Sequence, residues 1–354
     1  MKEAVAILFG GESSEHDISC ISASNVADML DKERFEPVLV GITPDGKWWI
    51  FNGSTDMMRS GDWKNCPEYL TPAVLSPCKA HHGLIAFDKA SGRYNIVRID
   101  VVFPVLHGKN GEDGTMQGLL ELSGVPYVGC RTCASAVGMD KEYTKIIAEK
   151  AGARVVPFVS AVNHPDLDIN ALVCECEERF GYPMFVKPSC AGSSVGITKA
   201  VDRANLLKGI NIAFGEDSKV IIEPSITGRE IEVAVMGNDY PVASHCGEIK
   251  PNSDFYDFDA KYVNGTAECT VPADISAETD RAITEHARLI YRALGCSGLA
   301  RVDFFLCGDT EYFNEINTLP GFTPISMFPK MMEHKGVPYG ELITKLIEYA
   351  KNYR

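Results

Sequence analysis

Three oxygen-bearing side chains, Asp303, Glu315 and Asn317, fall on two runs, Leu299 to Leu306 and Glu311 to Asn317, that alternate in facing as strands do. Arg301, Asp303 and Phe305 share one face of the first run, and Glu315 and Asn317 share one face of the second. Gly308-Asp309 is a turn that lets the runs pair. If the two faces coincide, two carboxylates and an amide oxygen meet beside a guanidinium, a hard-oxygen set suited to magnesium and through it to phosphate. Taken alone, the same side chains equally describe the solvated face of an amphipathic hairpin, so the rest of the chain must decide.

Further basic and small residues stand where other elements would position them. Met139-Asp140-Lys141 sets a lysine at the start of a helix expected from about Asp140 to Lys150, where free amides also favour an anion. Met184 to Pro188 reads as a strand ending in Lys187. Ser189-Cys190-Ala191-Gly192-Ser193-Ser194-Val195-Gly196 follows, a run of small residues whose amides could wrap a phosphate or simply make a turn. It lacks the G-x-x-x-x-G-K-[ST] spacing of a P-loop, so a triphosphate site here must be built differently. A strand through Val220 to Ile226 carries Glu223, a carboxylate able to meet an adenine amine, a ribose hydroxyl or water.

The N-terminal part supplies a second wall. Ala4 to Phe9 is a continuous apolar run, as in a parallel strand covered on both faces, and leads through Gly10-Gly11-Glu12-Ser13-Ser14-Glu15-His16 into a helical pattern. Such a βα loop lies at the ligand-binding edge of a sheet, although the spacing is not that of a dinucleotide fingerprint. Strands at Phe35 to Ile42 and Val101 to Leu106 flank a polar insertion, about 45–100, expected to form a small hairpin. His107-Gly108 to Glu112-Asp113-Gly114 is a second glycine-rich loop, followed by a helix from Thr115. Ser253 to Tyr262, acidic and aromatic, reads as a packed loop or a lid tipped by Lys261 and Tyr262. Helices are expected over Ala277 to Leu294 and Tyr339 to Tyr349.

Composition sets the class. At 354 residues, two or three domains are expected. A formal net charge of −14 argues against nucleic acid as partner, since backbone binding needs clustered cations. The chain has no apolar run of membrane-spanning length, and Met1 to Val5 lacks the basic region of a signal peptide, so a cytoplasmic protein with no membrane partner is expected. Twelve scattered cysteines make neither a disulfide framework nor paired zinc spacings.

In their order, the Gly10 to Glu15 loop, the His107 to Gly114 loop, Met139-Asp140-Lys141, Lys187 to Gly196, Phe255 to Tyr262, Gly298 to Asp303 and Asn314 to Gly321 resemble the D-alanine–D-alanine ligase family of the ATP-grasp superfamily, over essentially the whole chain. The resemblance implies a mixed α/β and α+β architecture: a Rossmann-like parallel-sheet domain over 1–126, a central ATP-grasp domain over 127–222, and a C-terminal one over 223–354 with a lid at 253–263. It implies ATP and two magnesium ions, with manganese able to substitute, and a homodimer acting on D-alanine in the bacterial cytoplasm.

By matching position, Glu15 would hold the first substrate's ammonium beside Ser193 and Tyr262, with His107 lining that pocket. Arg301 and the Gly321 amide would form an oxyanion hole, and Ser326 would receive the second carboxylate. Lys141, Lys187 and Lys261 would bind phosphate oxygens, and Glu223, Ile226 and Glu230 the adenosine. Asp303, Glu315 and Asn317 would hold the metal. Met327 stands where relatives that make D-alanyl-D-serine usually place Arg, so D-alanine is the expected second substrate and D-serine the alternative. Cys190, by its place in the phosphate loop beside the γ-phosphate, is expected to make the enzyme oxidant-sensitive. A different ATP-grasp enzyme would share the metal set but not the Glu15 loop, and a non-catalytic homologue would be expected to have lost Asp303, Glu315 or Arg301.

Overall fold

The computed structural model describes residues 2–88, 91–192, 195–250 and 268–353. Ser193, Lys261, Tyr262 and the expected lid at 253–263 lie outside them.

Strand β1 (Glu3–Gly10) forms because its apolar run can be buried on both faces, and Val5 to Phe9 are all buried. It pairs in parallel with β2 (Phe35–Ile42) and β7 (Val101–Pro104). The insertion does more than add one hairpin. Its strands β3 (Trp48–Phe51), β4 (Leu70–Leu75), β5 (Gly83–Asp88) and β6 (Arg93–Arg98) extend the same sheet antiparallel, in the order β6-β5-β4-β3-β2-β1-β7. Short runs with polar interruptions hid this, because each strand covers only part of a face. Fully buried Trp63 pins the insertion over Gly41 of β2, where an added Cβ would come within 2.3 Å of the indole ring.

Helix α1 (His16–Met29) follows β1, α2 (Thr55–Ser60) lies in the insertion, and α3 (Thr115–Ser123) follows the second glycine loop. Helices α4 (Thr132–Met139) and α5 (Lys141–Lys150) lead to a second, antiparallel sheet. Its order is β10-β9-β11-β8, from β8 (Val159–Val162), β9 (Met184–Pro188), β10 (Thr198–Ala200) and β11 (Lys219–Pro224). Helices α6 (Ile169–Phe180) and α7 (Arg203–Glu216) share a core with it that includes Val173, Val186, Ile210 and Ile222.

The third sheet runs β15-β14-β12-β16-β17. Its strands are β12 (Arg229–Met236), β13 (Val242–Ala243, paired only with β12), β14 (Gly247–Lys250), β15 (Glu268–Thr270), β16 (Leu299–Cys307) and β17 (Thr310–Asn317). Helix α8 (Ala277–Ala293) covers it, with Ile283, Ala287, Ile290 and Tyr291 buried. Helices α9 (Met327–His334) and α10 (Tyr339–Lys351) return to the first sheet: Phe328, Leu342 and Leu346 share one core with Val5, Ile7 and Phe103. Among the described residues, no helix is long and apolar enough to cross a membrane.

Candidate active site

The hairpin of β16 and β17 forms with Arg301 opposite Asn317 and Asp303 opposite Glu315, so the two polar faces coincide. A bulge at Asp303/Phe304 then shifts the register, so that Phe304 pairs with Phe313 and Asn314 is the extra residue. Asp303 accepts from Arg301 Nε and Nη2, both at 2.8 Å, and from Asn317 Nδ2 at 2.9 Å. Arg301 also lies 3.2 Å from Glu232 of β12. Against the solvated-face reading, Asp303 is 9% exposed, and the half-buried Glu315 and Asn317 line a cleft with it. Among the described residues no group of three or more His, Cys, Asp or Glu gathers at one point, so a cation at Asp303 and Glu315 would draw its third donor from the Asn317 amide.

A cleft of about 830 Å³ lies between the second and third sheets and opens onto the loops of the first. The third sheet contributes Glu230, Arg301, Asp303, Glu315 and Asn317, the loop after it Gly321 and Ser326, and the start of α9 Met327. The start of α5 gives Lys141, the second sheet and the loop after it Lys187, Glu223 and Ile226, and the loops of the first sheet Glu15 and His107.

Each lysine is placed by identifiable chemistry. Asp140 caps α5, accepting from the amides of Glu142 and Tyr143 at 3.0 and 3.2 Å, and accepts from Ser189 Oγ at 2.8 Å. This ties the helix start to the small-residue loop and sends Lys141 Nζ to Ala191 O at 2.7 Å, with Glu315 3.7 Å away. Lys187 donates to Glu223 at 2.7 Å, and Lys145 lies 2.6 Å from the other Glu223 oxygen. Burial would raise the Glu223 pKa, but these two ammonium groups outweigh it and hold the carboxyl down at about 2. Glu223 is therefore first of all an anchor for two lysines.

Glu15 stands just before α1, 6% exposed, its amide donating to Ser13 Oγ at 3.1 Å. A Cβ on Gly108 would lie 2.8 Å from its carboxylate and one on Gly192 3.6 Å away, so Glu15 sits where the glycine loops of the first and second sheets meet. Burial holds the His107 ring below its usual pKa, and the neutral ring approaches Leu319 O at 3.2 Å and Ser22 Oγ at 3.3 Å. Ser326 Oγ accepts from the Thr323 amide at 3.0 Å and lies against Gly321, where a Cβ would be 2.8 Å away. Met327 is buried against Gly247.

Two residues escape sequence reasoning: Lys145 behind the cleft, against Glu223, and Glu112 at its wall. Lys145 is 1% exposed; the available signal was its place four residues after Lys141 on one helix face. Glu112 is half-buried at the cleft wall, accepting from the Gly108 amide at 2.8 Å and the Leu319 amide at 3.3 Å. Burial and the Glu15 charge push its carboxyl up to about 8. Its signal was the glycine loop that contains it. Cys190 reads differently in place. Partial burial and the carboxylates of Asp140 and Asp217 push its thiol up to about 12, which leaves little thiolate for an oxidant.

An antiparallel sheet pair closing on a lysine- and carboxylate-lined cleft, fed by the loops after the parallel strands of a mixed sheet, is the arrangement of an ATP-grasp enzyme. Sequence models described as the N-terminus and C-terminus of D-ala D-ala ligase match residues 4–130 and 147–348. The D-alanine–D-alanine ligase of Acetivibrio thermocellus is 48% identical, over 99% of this chain and 96% of the relative, and that of Ruminiclostridium cellulolyticum 47%, over 99% and 95%. Among solved structures, the VanG D-Ala:D-Ser ligase from Enterococcus faecalis superposes with a TM-score of 0.90 at 38% identity, covering 99% of this chain and 100% of that one. The chain belongs to the D-alanine–D-alanine ligase family.

Proposed function

We propose that the chain is an ATP-dependent ligase that joins two D-alanines into D-alanyl-D-alanine for peptidoglycan precursors, as a cytoplasmic homodimer. The observation that carries this is the meeting, in one cleft, of Lys141, Lys187 and Arg301 with the opposed Asp303 and Glu315, next to the Glu15 loop. We assign residues 1–126, 127–222 and 223–354 to three domains, with 253–263 as lid.

Lys141, Lys187 and Lys261 hold phosphate oxygens of ATP, and Glu223, Ile226 and Glu230 line the adenosine end. Asp303, Glu315 and Asn317 fit two magnesium ions: the donors are hard oxygens, and with Nδ2 on Asp303, Asn317 offers its Oδ1. Bound there, magnesium or manganese supplies positive charge to the transferring phosphoryl group.

Glu15 fixes the first D-alanine's ammonium, with His107, Ser193 and Tyr262 around it. One oxygen of that D-alanine's carboxylate attacks the γ-phosphorus and ADP leaves, turning a poor electrophile into an acyl phosphate. The second D-alanine, its carboxylate at Ser326, attacks the carbonyl carbon through its amine. Arg301 and the Gly321 amide meet the oxyanion as the tetrahedral centre forms, and phosphate departs with the carboxylate's oxygen. Met327 gives the second side chain an apolar wall, which favours a methyl group over a hydroxyl.

The likeness to a D-Ala:D-Ser ligase supports D-serine as the alternative second substrate. Equal concentrations of D-alanine and D-serine, with the dipeptides resolved by mass spectrometry, test the choice. The expected product is D-alanyl-D-alanine in large excess; predominance of D-alanyl-D-serine would overturn it.

A further inference from the structure

The backbone on either side of Pro320-Gly321 is held by polar groups from the first sheet's side of the molecule. At residue 319, Glu112 accepts from the N–H at 3.3 Å and His107 Nδ1 reaches the carbonyl at 3.2 Å. A carbonyl only accepts, so Nδ1 carries the proton and Nε2 is the acceptor for the Ser22 hydroxyl at 3.3 Å. Ser22 Oγ in turn accepts from the Phe322 N–H at 3.3 Å. The result is a circuit from the Phe322 amide through Ser22 and His107 to the Leu319 carbonyl. The Phe322 carbonyl accepts from Asn25 Nδ2 at 3.3 Å and from Tyr339 at 2.6 Å. Ser22, His107 and Leu319 are all buried.

We propose that Ser22 and Asn25 of α1 are positioning residues that, with His107 and Glu112, set the Leu319–Phe322 peptide and so aim the Gly321 amide at the reacting carbonyl. This rests on the oxyanion role given to Gly321 above. Both clamps come from elements that also hold the first substrate's loops: α1 begins one residue after Glu15, and His107 opens the second glycine loop. Assembly of the oxyanion hole is thereby tied to the first-substrate loops. The ring of Phe322, packed against Phe103 and Phe328, supplies an apolar anchor that does not depend on these hydrogen bonds, so the segment stays folded without them.

The test uses the full-length chain with Ser22→Ala, Asn25→Ala and the double variant. Turnover with ATP, magnesium and D-alanine is measured together with ADP affinity, melting temperature and an Arg301→Ala reference. The expected result is a roughly tenfold fall in kcat for Ser22→Ala and a smaller one for Asn25→Ala, whose carbonyl partner keeps Tyr339, with ADP affinity within twofold of wild type. A less than additive double variant is expected, because both residues act on one peptide. If kcat stays within twofold of wild type while Arg301→Ala loses activity, the positioning role is overturned and the oxyanion reading stands. A fall in kcat matched by lost ADP affinity and a lowered melting temperature also overturns it, since that is general destabilisation. Unchanged kcat in Arg301→Ala overturns the oxyanion reading itself.

Discussion

At the residue scale, charge decides most of what the cleft can do. Arg301 sits on both oxygens of Asp303 and within reach of Glu232, so its guanidinium is oriented before any substrate arrives. Removing a preorganised oxyanion partner typically costs about 3 kcal/mol of barrier, so Arg301→Ala is expected to lose roughly a hundredfold in kcat with ATP affinity unchanged, as steady-state kinetics would register. Glu15→Gln is expected to raise the first D-alanine's KM with little effect on ATP. The Glu223 triad carries its own signature. Its folded carboxyl titrates near 2 against an ordinary 4.5, so it stabilises the fold above about pH 4.5 and that contribution fades as pH falls toward 2. In Glu223→Gln the acid limb of a melting-temperature profile should flatten over that interval. Lys145→Met leaves the buried carboxylate one cation short and is expected to destabilise by about 3 kcal/mol.

The elements explain why some of this could be read from the chain and some could not. The β16–β17 hairpin was legible because alternation and a glycine turn fix both facing and register over a few residues. The bulge after Asp303 was not, since it depends on how the strands twist against β12 and the cleft. Lysines at a helix start and a strand end were legible as local features; the Glu223 anchor joining Lys187 to Lys145 was not, because it links β9, β11 and α5 across the fold. The insertion at 45–100 was underread for a similar reason: its strands find their partners in β2 and in one another, pairings that no single short run announces. Asp140 shows how a local cap becomes a site device. Because its carboxylate holds α5, Ser189 and Lys219 together, Asp140→Ala is expected to lose about 1 kcal/mol from the cap and to raise the KM for ATP through a displaced Lys141.

On the scale of the whole molecule, the first and third sheets share a core through α9 and α10, while the second sheet keeps one of its own. Leu346→Ala, in the middle of the shared core, is expected to destabilise by about 2–5 kcal/mol and to lower the melting of the first and third sheets together. The cleft lies where the separate core of the second sheet faces the joined pair, which is where relative movement of the sheets would change the spacing of Lys187 from Asp303. The family resemblance was carried by seven motifs in order along the chain, and the structure adds how some of them meet: Glu15 reaches Gly108 and Gly192, and Leu319 is held by His107 and Glu112. The acyl-phosphate route is tested by supplying the enzyme with ATP, magnesium and D-alanine labelled with ¹⁸O in its carboxylate and following the label by mass spectrometry. The acyl-phosphate route predicts phosphate released only with D-alanine, one labelled oxygen in each phosphate, and D-alanyl-D-alanine formed in equal amount. Unlabelled phosphate, or release that ignores D-alanine, would contradict it.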